Sequence, residues 1–588
     1  MNLIKDKIVK ILEEVGVLAA ELVLPPKPEM GDFALSCFAL AKELKKNPAE
    51  AAVEIKNKLL AFNAASGLAK KTHTEVSLIE KIETIGPYVN FYLNTKVLAE
   101  EVLFDIKKSG AKYGRNNLGK KKKVLVEFAQ PNTHKAFHIG HLRGTITGES
   151  ISRILENAGY EVVRVNYQGD IGMHIAKCLW GVLELQKKYK EATKKDITEK
   201  VQFLGEAYAY GAKAFEEKPS VKDQITAINE KIYFANDAEI NKIYAETRKW
   251  SLKYFAGIYK RLDTKFDRFY FESEMFRSAI ETVKEFLSRE VLTQSKGAVI
   301  FEGSKYGLHD RVFLNSLGLP TYEAKDLALA KKHFTEYDPD EILHVVAIEQ
   351  TEYFKVLFKV LEEVIPKSKG KEKHLSFGWV SLKDGKMSSR TGKVVLGEWL
   401  IDETTNKISD MMTDDKVADK EEVAKAVALG AVKYSFLKTG IKNDIIFNFE
   451  ETISMSGDSG AYLLYTVARI KSILAKACLP IGMAGKLKSK KKLDLSDLPE
   501  VFVEEKEILL KLAEFPEATL AAAEQTDPSK IAKYLLDLSQ AFNNFYHTRQ
   551  ILKAETKEQE FRLMLIKAVE ETMIKGLNLL GIEAVEKM

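Results

Sequence analysis

Two histidines three residues apart, His138 and His141, stand in the stretch PNTHKAFHIGH (131–141) of this 588-residue chain. The run VLVEFAQ (124–130) before them reads as a buried strand. The residues from about His138 onward read as a helix, with Leu142, Ile146, Ile154, Leu155 and Ala158 at helical spacing and Gly159 at the end. At a strand-to-helix turn the first N–H groups of the helix are free and carry a partial positive charge, which suits an anion. The spacing puts both imidazoles on one face, and Gly140 leaves the backbone open to a flat base or a phosphate. Two imidazole donors there can stabilise charge growing on an α-phosphate. The H-x-x-H pattern alone also fits two surface histidines or two metal ligands. The metal reading needs a third ligand, commonly a carboxylate at a suitable spacing, and none is evident. About 250 residues on, Lys386-Met387-Ser388-Ser389 lies in the Gly- and Lys-containing loop DGKMSSRTGK. A lysine in such a loop can hold β- and γ-phosphates while the histidines hold the α-phosphate.

A second set of residues suits a cation. Glu127 closes the strand before the histidines and Asn132 follows it; Tyr322 and Asp326 sit four apart in PTYEAKDLALA, on one helix face; Gln350 follows the strand EILHVVAI. All five fall near the C-terminal ends of strands or in the turns after them, where open α/β sheets bind ligands. Taken singly, each acid reads as a surface or helix-end charge. Together, two carboxylates match the planar, bidentate fork of a guanidinium, which an ammonium cannot copy.

The elements that must position these residues can be read along the chain. Residues 1–115 form a small mixed α+β domain: helical stretches over Leu3–Val15 and Phe33–Leu44, a Pro-rich connector (LPPKPEMGD), a helix starting at Asn47-Pro48, and alternating strands in VSLIEKIETIGPYVNFYLN. Residues 116–410 hold the strand–helix–strand unit 124–167, hence a parallel sheet. They also contain a charged helical insertion at 187–262 and further strand-like pieces at 298–301, 311–314 and 341–348. Residues 411–588 are almost wholly helical, with helices over 423–437, 461–477 and 531–546.

Composition bounds the rest. Hydrophobic residues make up 45% and charged residues 29%, which predicts a globular, soluble protein. No run of about 18 apolar residues is present, so no membrane span is expected. The N-terminus mixes Asp6, Glu13 and Glu14 with its lysines, reads as a folded helix rather than a leader, and points to the cytoplasm. The net charge of +5 neither requires nor excludes a nucleic-acid partner. Lysine-rich runs at 120–123, 366–373 and 486–492 read as solvated loops. The cysteines Cys37, Cys178 and Cys478 lie far apart and give no zinc spacing. There is no GxxxxGK[ST], no GxGxxG after a strand and no HExxH.

HIGH at 138–141 with KMSS at 386–389 resembles the class I aminoacyl-tRNA synthetases. The blocks VEFAQPNTHKAFHIGHLRG, NYQGDIGMH, LPTYEAKDLAL, AIEQTEYF and GDSGAYLLYTVARIKSIL, in this order, resemble the arginyl-tRNA synthetase family. The likeness runs nearly end to end, from PEMGDFAL to LNLLGIEAVEKM, and is weakest over 187–262. It implies a Rossmann-like catalytic domain between an N-terminal domain that touches tRNA and a helical anticodon-binding domain. It implies ATP carried with Mg2+ as substrate, L-arginine and tRNA(Arg) as partners, no protein-ligated metal, no membrane and a monomer. His138, His141, Lys135 and Lys386 become the catalytic cations and donors, with His138, Gly140, His141, Lys386, Met387 and Ser388 around ATP. Glu127, Asn132, Tyr322, Asp326 and Gln350 line the arginine pocket, and Tyr462, Tyr465 and Arg469, on one helix face, contact tRNA. Ser389 stands where a second lysine is usual; like many family members, this chain has a lysine just before HIGH, Lys135, to which the missing charge is assigned. Ala461, Leu464, Met455-Ser456 and Tyr167-Gln168 also depart from the common pattern. Two alternatives remain: another class I specificity such as glutamine or cysteine, and an inactive tRNA-binding relative. The intact histidines and lysines speak against the second.

Overall fold

The computed structural model describes residues 2–18, 21–65, 78–383, 395–412, 419–477 and 494–588. Lys386, Met387 and Ser388, with the rest of the KMSS loop, lie outside the described residues, as do Cys478 and the lysine run at 486–492.

The N-terminal region runs α1 (Asn2–Glu14), β1 (Leu22–Val23), β2 (Phe33–Ser36), α2 (Phe38–Leu44), α3 (Pro48–Ala65), β3 (Ile79–Ile85), β4 (Tyr88–Leu93) and α4 (Thr95–Ser109). Its four strands form an antiparallel sheet in the order β1-β2-β4-β3. Here the sequence reading needs correction. Phe33–Leu44 is not one helix: Phe33–Ser36 is a strand paired with Tyr88–Phe91, and only Phe38–Leu44 is helical. Phe33, Ala34 and Leu35 are buried on pairing, a tertiary gain that outweighs local helix preference.

The central region continues with β5 (Lys123–Glu127), α5 (Ile139–Asn157), β6 (Glu161–Gln168) and α6 (Met173–Glu184). The insertion is four helices, α7 (Gln186–Ala192), α8 (Ile197–Glu217), α9 (Pro219–Phe234) and α10 (Ala238–Arg261). Then come β7 (Arg268–Phe271), α11 (Glu272–Ser288), β8 (Thr293–Ser295), β9 (Ala298–Phe301), β10 (Arg311–Leu314) and α12 (Tyr322–Glu336). After these follow β11 (Glu341–Ala347), α13 (Thr351–Val364), β12 (Glu372–Phe377), β13 (Val380–Leu382) and α14 (Gly397–Met411). The main sheet is five-stranded, ordered β12-β11-β5-β6-β7, with every pair parallel. The strand pieces at 298–301 and 311–314 do not join it; with β8 they make a separate antiparallel sheet.

β5 is shorter than 124–130 suggested. It ends at Glu127, after which Ala129 and Gln130 take left-handed φ values of 75° and 44° that no strand can continue. Chain order runs outward from β5 in both directions, through β6 and through β11. The crevice between the C-terminal ends of β5 and β11 is therefore a switch point, the place where such sheets bind ligands.

The C-terminal region comprises α15 (Lys420–Leu437), β14 (Ile445–Phe447), α16 (Phe449–Thr452), α17 (Gly460–Lys476), α18 (Val503–Gln525), α19 (Ser529–Thr548) and α20 (Thr556–Leu579). β14 pairs in parallel with β13. Helix α5 lies between the main sheet and this bundle, and every residue from Leu142 to Ser152 is buried. Its outer side is tied to the chain's C-terminal end: Ser150 Oγ donates to Leu579 O at 2.9 Å and Arg153 Nη1 to Asn578 O at 3.2 Å. Buried Lys433 donates to Leu262 O at 2.9 Å and also to Gly581 O. No helix among the described residues is long and apolar enough to cross a membrane.

Candidate active site

One cavity of about 750 Å³ opens at the switch point. Glu127, Asn132, His138, Gly140, His141, Tyr322, Asp326 and Gln350 all line it, so the histidine pair and the residues expected to hold a guanidinium converge from separate elements.

His138 is the N-cap of α5. Its Nδ1 accepts the Gly140 N–H at 3.1 Å, and His141 Nδ1 accepts the His138 N–H at 3.3 Å. These bonds commit both Nδ1 atoms as acceptors, so each neutral ring carries its proton on Nε2 as a donor. The rings stack with centroids 3.7 Å apart. Burial, then the charge of Lys135, holds His138 below the ordinary imidazole range; burial, His138 and Lys135 hold His141 well below it. Both are therefore neutral hydrogen-bond donors near pH 7 rather than fixed cations. Gly140 leaves the His138 ring room: a Cβ there would stand 3.0 Å from it, so the ring would have to shift.

The turn before α5 is held from outside. His134, at φ 61°, donates its backbone N–H to Ser251 Oγ at 3.0 Å and meets Thr247 Oγ1 through Nε2 at 2.8 Å, both on α10 of the insertion. Asn132 bridges to Gly169, where an added Cβ would lie 2.1 Å from Asn132 Oδ1. Lys135 does not line the cavity; its Nζ sits 5.5 Å from the centre of the Tyr208 ring on α8. Burial, then Lys177, lowers its pKa.

Arg143, two residues beyond His141, is buried and makes four bonds to backbone carbonyls. Nη1 donates to Gly378 O at 2.7 Å and Trp379 O at 2.9 Å; Nη2 donates to Ile441 O at 3.1 Å and Asn443 O at 2.8 Å. Burial pulls its pKa down to about 10. The side chain ties α5 to the cavity wall at 377–380 and to the segment entering β14. Val380 lines the cavity, and Val395 O accepts the Ile139 N–H at 2.9 Å, so both flanks of the undescribed segment 384–394 sit at this site.

At the other end lie the acids. Glu127 is 4% exposed and accepts from Gln130 Nε2 at 2.6 Å. Burial pushes its carboxyl up, but His344, with smaller help from His333 and Gln130, turns the net shift downward. Asp326 accepts from the Tyr353 hydroxyl. Burial above all, with the nearby charges of Glu127 and Glu272, pushes Asp326 up to about 7 against the pull of Tyr353. Beside it, Glu272 pairs with buried Lys325, and the Tyr167 hydroxyl is buried with no hydrogen-bond partner. Tyr322, 60% exposed, and the exposed Gln350 stand at the mouth.

Sequence reasoning did not find His344, Tyr353, Tyr167 or Gln130. The one available signal was a lone histidine inside the otherwise apolar strand ILHVVA. The third predicted set, Tyr462, Tyr465 and Arg469, shares a half-buried face of α17. Arg469 donates to Asn543 Oδ1 at 2.6 Å and to the Tyr465 hydroxyl at 3.0 Å, with its guanidinium 4.8 Å from the Tyr546 ring centre.

Comparison with known proteins agrees with this architecture. Residues 103–449 match the family model for the catalytic domain of tRNA synthetases class I (R). Residues 463–588 match the DALR anticodon binding domain, and residues 2–93 the arginyl tRNA synthetase N-terminal domain. The chain is 32% identical to the arginine–tRNA ligase of Clostridium acetobutylicum, covering 100% of this chain and 99% of that one. It is 33% identical to the arginine–tRNA ligase of Halothermothrix orenii, covering 99% of each. Among solved structures, the arginyl-tRNA synthetase of Thermus thermophilus superposes with a TM-score of 0.76 at 27% identity, covering all of both chains.

Proposed function

Because the chain belongs to the arginyl-tRNA synthetase family, we propose that its cavity activates L-arginine with ATP and that the product is transferred to tRNA(Arg). The observation that carries this reading is the convergence of Glu127 and Asp326 with His138 and His141 on one crevice. The protein is an aminoacyl-tRNA ligase, and its relatives' names lend no support to an inactive, merely tRNA-binding protein.

In the proposed reaction an arginine carboxylate oxygen attacks the α-phosphorus of ATP, and the bond to the bridging oxygen of pyrophosphate breaks. His138 and His141 line the cavity, and in this reaction their Nε2–H groups donate to the phosphate oxygens as negative charge grows. A ribose hydroxyl of the terminal tRNA adenosine then attacks the adenylate carbonyl, and AMP leaves. No enzyme nucleophile is required; catalysis is positioning and electrostatics. Asn132, Tyr322 and Gln350 surround the amino-acid end, while Glu127 and Asp326 receive the guanidinium. Lys135 supplies positive charge beside the histidines, and the family resemblance assigns Lys386, Met387 and Ser388 to the phosphates. Mg2+ arrives with ATP as part of the substrate.

We place the N-terminal domain at 1–115, the catalytic domain at 116–410 and the anticodon-binding domain at 411–588. Tyr462, Tyr465 and Arg469 are assigned to tRNA, and the enzyme is read as a cytoplasmic monomer. The test is aminoacylation of total tRNA with each amino acid in turn. Only arginine is expected to be incorporated; incorporation of glutamine or cysteine instead rejects the specificity.

A further inference from the structure

Glu127, His344 and Glu372 lie on three adjacent parallel strands. His344 on β11 is in register with Glu127 on β5 and with His374 on β12, and Glu372 is two residues before His374. Alternation along a strand then turns all three side chains to the same sheet face. Their side chains are 5%, 9% and 3% exposed. His344 Nε2 stands 2.7 Å from Glu372 Oε2, and His344 Nδ1 stands 3.3 Å from Glu127 Oε2. That Glu127 oxygen is buried without a hydrogen bond of its own, while the other is taken by Gln130. Both ring nitrogens thus face carboxylates, which only accept. That setting favours a proton on each nitrogen, and so an imidazolium. Phe354 and Phe358, with ring centres 5.1 Å and 5.7 Å from His344, close the site against water.

We propose that His344 is a positioning residue for substrate specificity: fixed between Glu127 and Glu372, it supplies the permanent positive neighbour against which the Glu127 carboxylate is set in the arginine pocket. This rests on the reading of the cavity given above and adds a division of labour to it. His344 pulls on Asp326 far less than burial pushes it, and the hydrogen-bond partner of Asp326 is the neutral Tyr353 hydroxyl. Glu127 therefore meets the incoming guanidinium already charged, whereas Asp326 loses a proton on pairing. The direction of the His344 titration agrees, since the two glutamates carry it up to about 10 against the opposing and largest effect of burial. The other titratable groups facing the ring are His333 and Asp326 of α12 and His374 of β12. Burial holds both of those histidines below the ordinary imidazole range.

The experiment is ATP–pyrophosphate exchange with tRNA present on full-length His344→Gln, read as KM for arginine and for ATP at two pH values. At about pH 7 the arginine KM should rise roughly tenfold or more while the ATP KM moves less than about twofold. At about pH 8.5 the arginine defect should shrink to below about threefold, because Glu127 then ionises without help. An unchanged arginine KM, or a defect independent of pH as lost packing alone would give, overturns the proposal. Asp326→Asn is measured alongside. If it leaves the arginine KM unchanged, the pocket reading itself fails; if it raises that KM and His344→Gln does not, only the role of His344 falls. Should His344→Gln not fold, nitrogen NMR of the unsubstituted enzyme decides. One of the 10 histidines should remain doubly protonated at about pH 8.5; none doing so overturns the proposal.

Discussion

At the scale of single residues, His141 offers the most direct test of the phosphate end. It lines the cavity and is held neutral with Nε2 as its donor, so its proposed contribution is a hydrogen bond that strengthens as charge develops. His141→Ala should slow activation by roughly a few hundredfold, the effect of losing one such donor, with little change in arginine KM; unchanged pyrophosphate exchange contradicts the assignment. Asp326 makes the guanidinium end pH-dependent. Its carboxyl is raised to about 7 by burial, and pairing with arginine favours the ionised form. Arginine affinity should therefore be full above that pH and fall by about tenfold per unit below it. Asp326→Asn should weaken binding and flatten the profile; a flat profile in the unsubstituted enzyme would refute the coupling. The acids and histidines themselves were legible in the sequence, because chemistry-bearing residues beside a strand–turn–helix pattern stand out. His344, Tyr353 and Tyr167 were not. Each matters through a neighbour on another strand or helix, and no spacing along the chain encodes that adjacency.

At the scale of elements, α5 is the member on which the site is built. The sheet supports one side of it, the C-terminal bundle the other, and Arg143 ties it to four carbonyls from two further segments. Arg143→Ala should lower the thermal unfolding midpoint and raise KM for ATP. Stranding several buried carbonyls costs on the order of 3–5 kcal/mol. Arg143→Lys keeps the charge but loses the fork, so it should recover only part of either loss. A midpoint and KM equal to the parent's would show that the four bonds hold nothing in place. Periodicity located α5 and β6 within a residue or two and marked 187–262 as helical without separating its four helices. It failed over Phe33–Ser36, where four residues have too little pattern to separate strand from helix and the pairing partner lies more than 50 residues away. It also gave no hint that 298–301 and 311–314 make a sheet of their own, because the order of strands is a property of the folded chain.

At the scale of the whole molecule, the two ends of the chain bracket the catalytic region, and the C-terminal end of α20 packs on the outer side of α5 through Leu579 and Asn578. The proposed RNA face on α17 tests the division of roles. Tyr465→Ala should weaken tRNA binding by about 1–3 kcal/mol, the worth of one stacked base, and lower charging at limiting tRNA. Normal tRNA affinity in that variant would return Tyr465 to an ordinary packing role against Arg469. The central claim is that Glu127 and Asp326 choose the substrate. It is tested by ATP–pyrophosphate exchange of the intact enzyme, with tRNA present, comparing arginine with citrulline, which has nearly the same shape and no charge. Filling the Glu127–Asp326 site with a group that carries no charge costs on the order of 3–5 kcal/mol, so arginine should be favoured by at least roughly a hundredfold in kcat/KM. Comparable activation of citrulline would contradict the account.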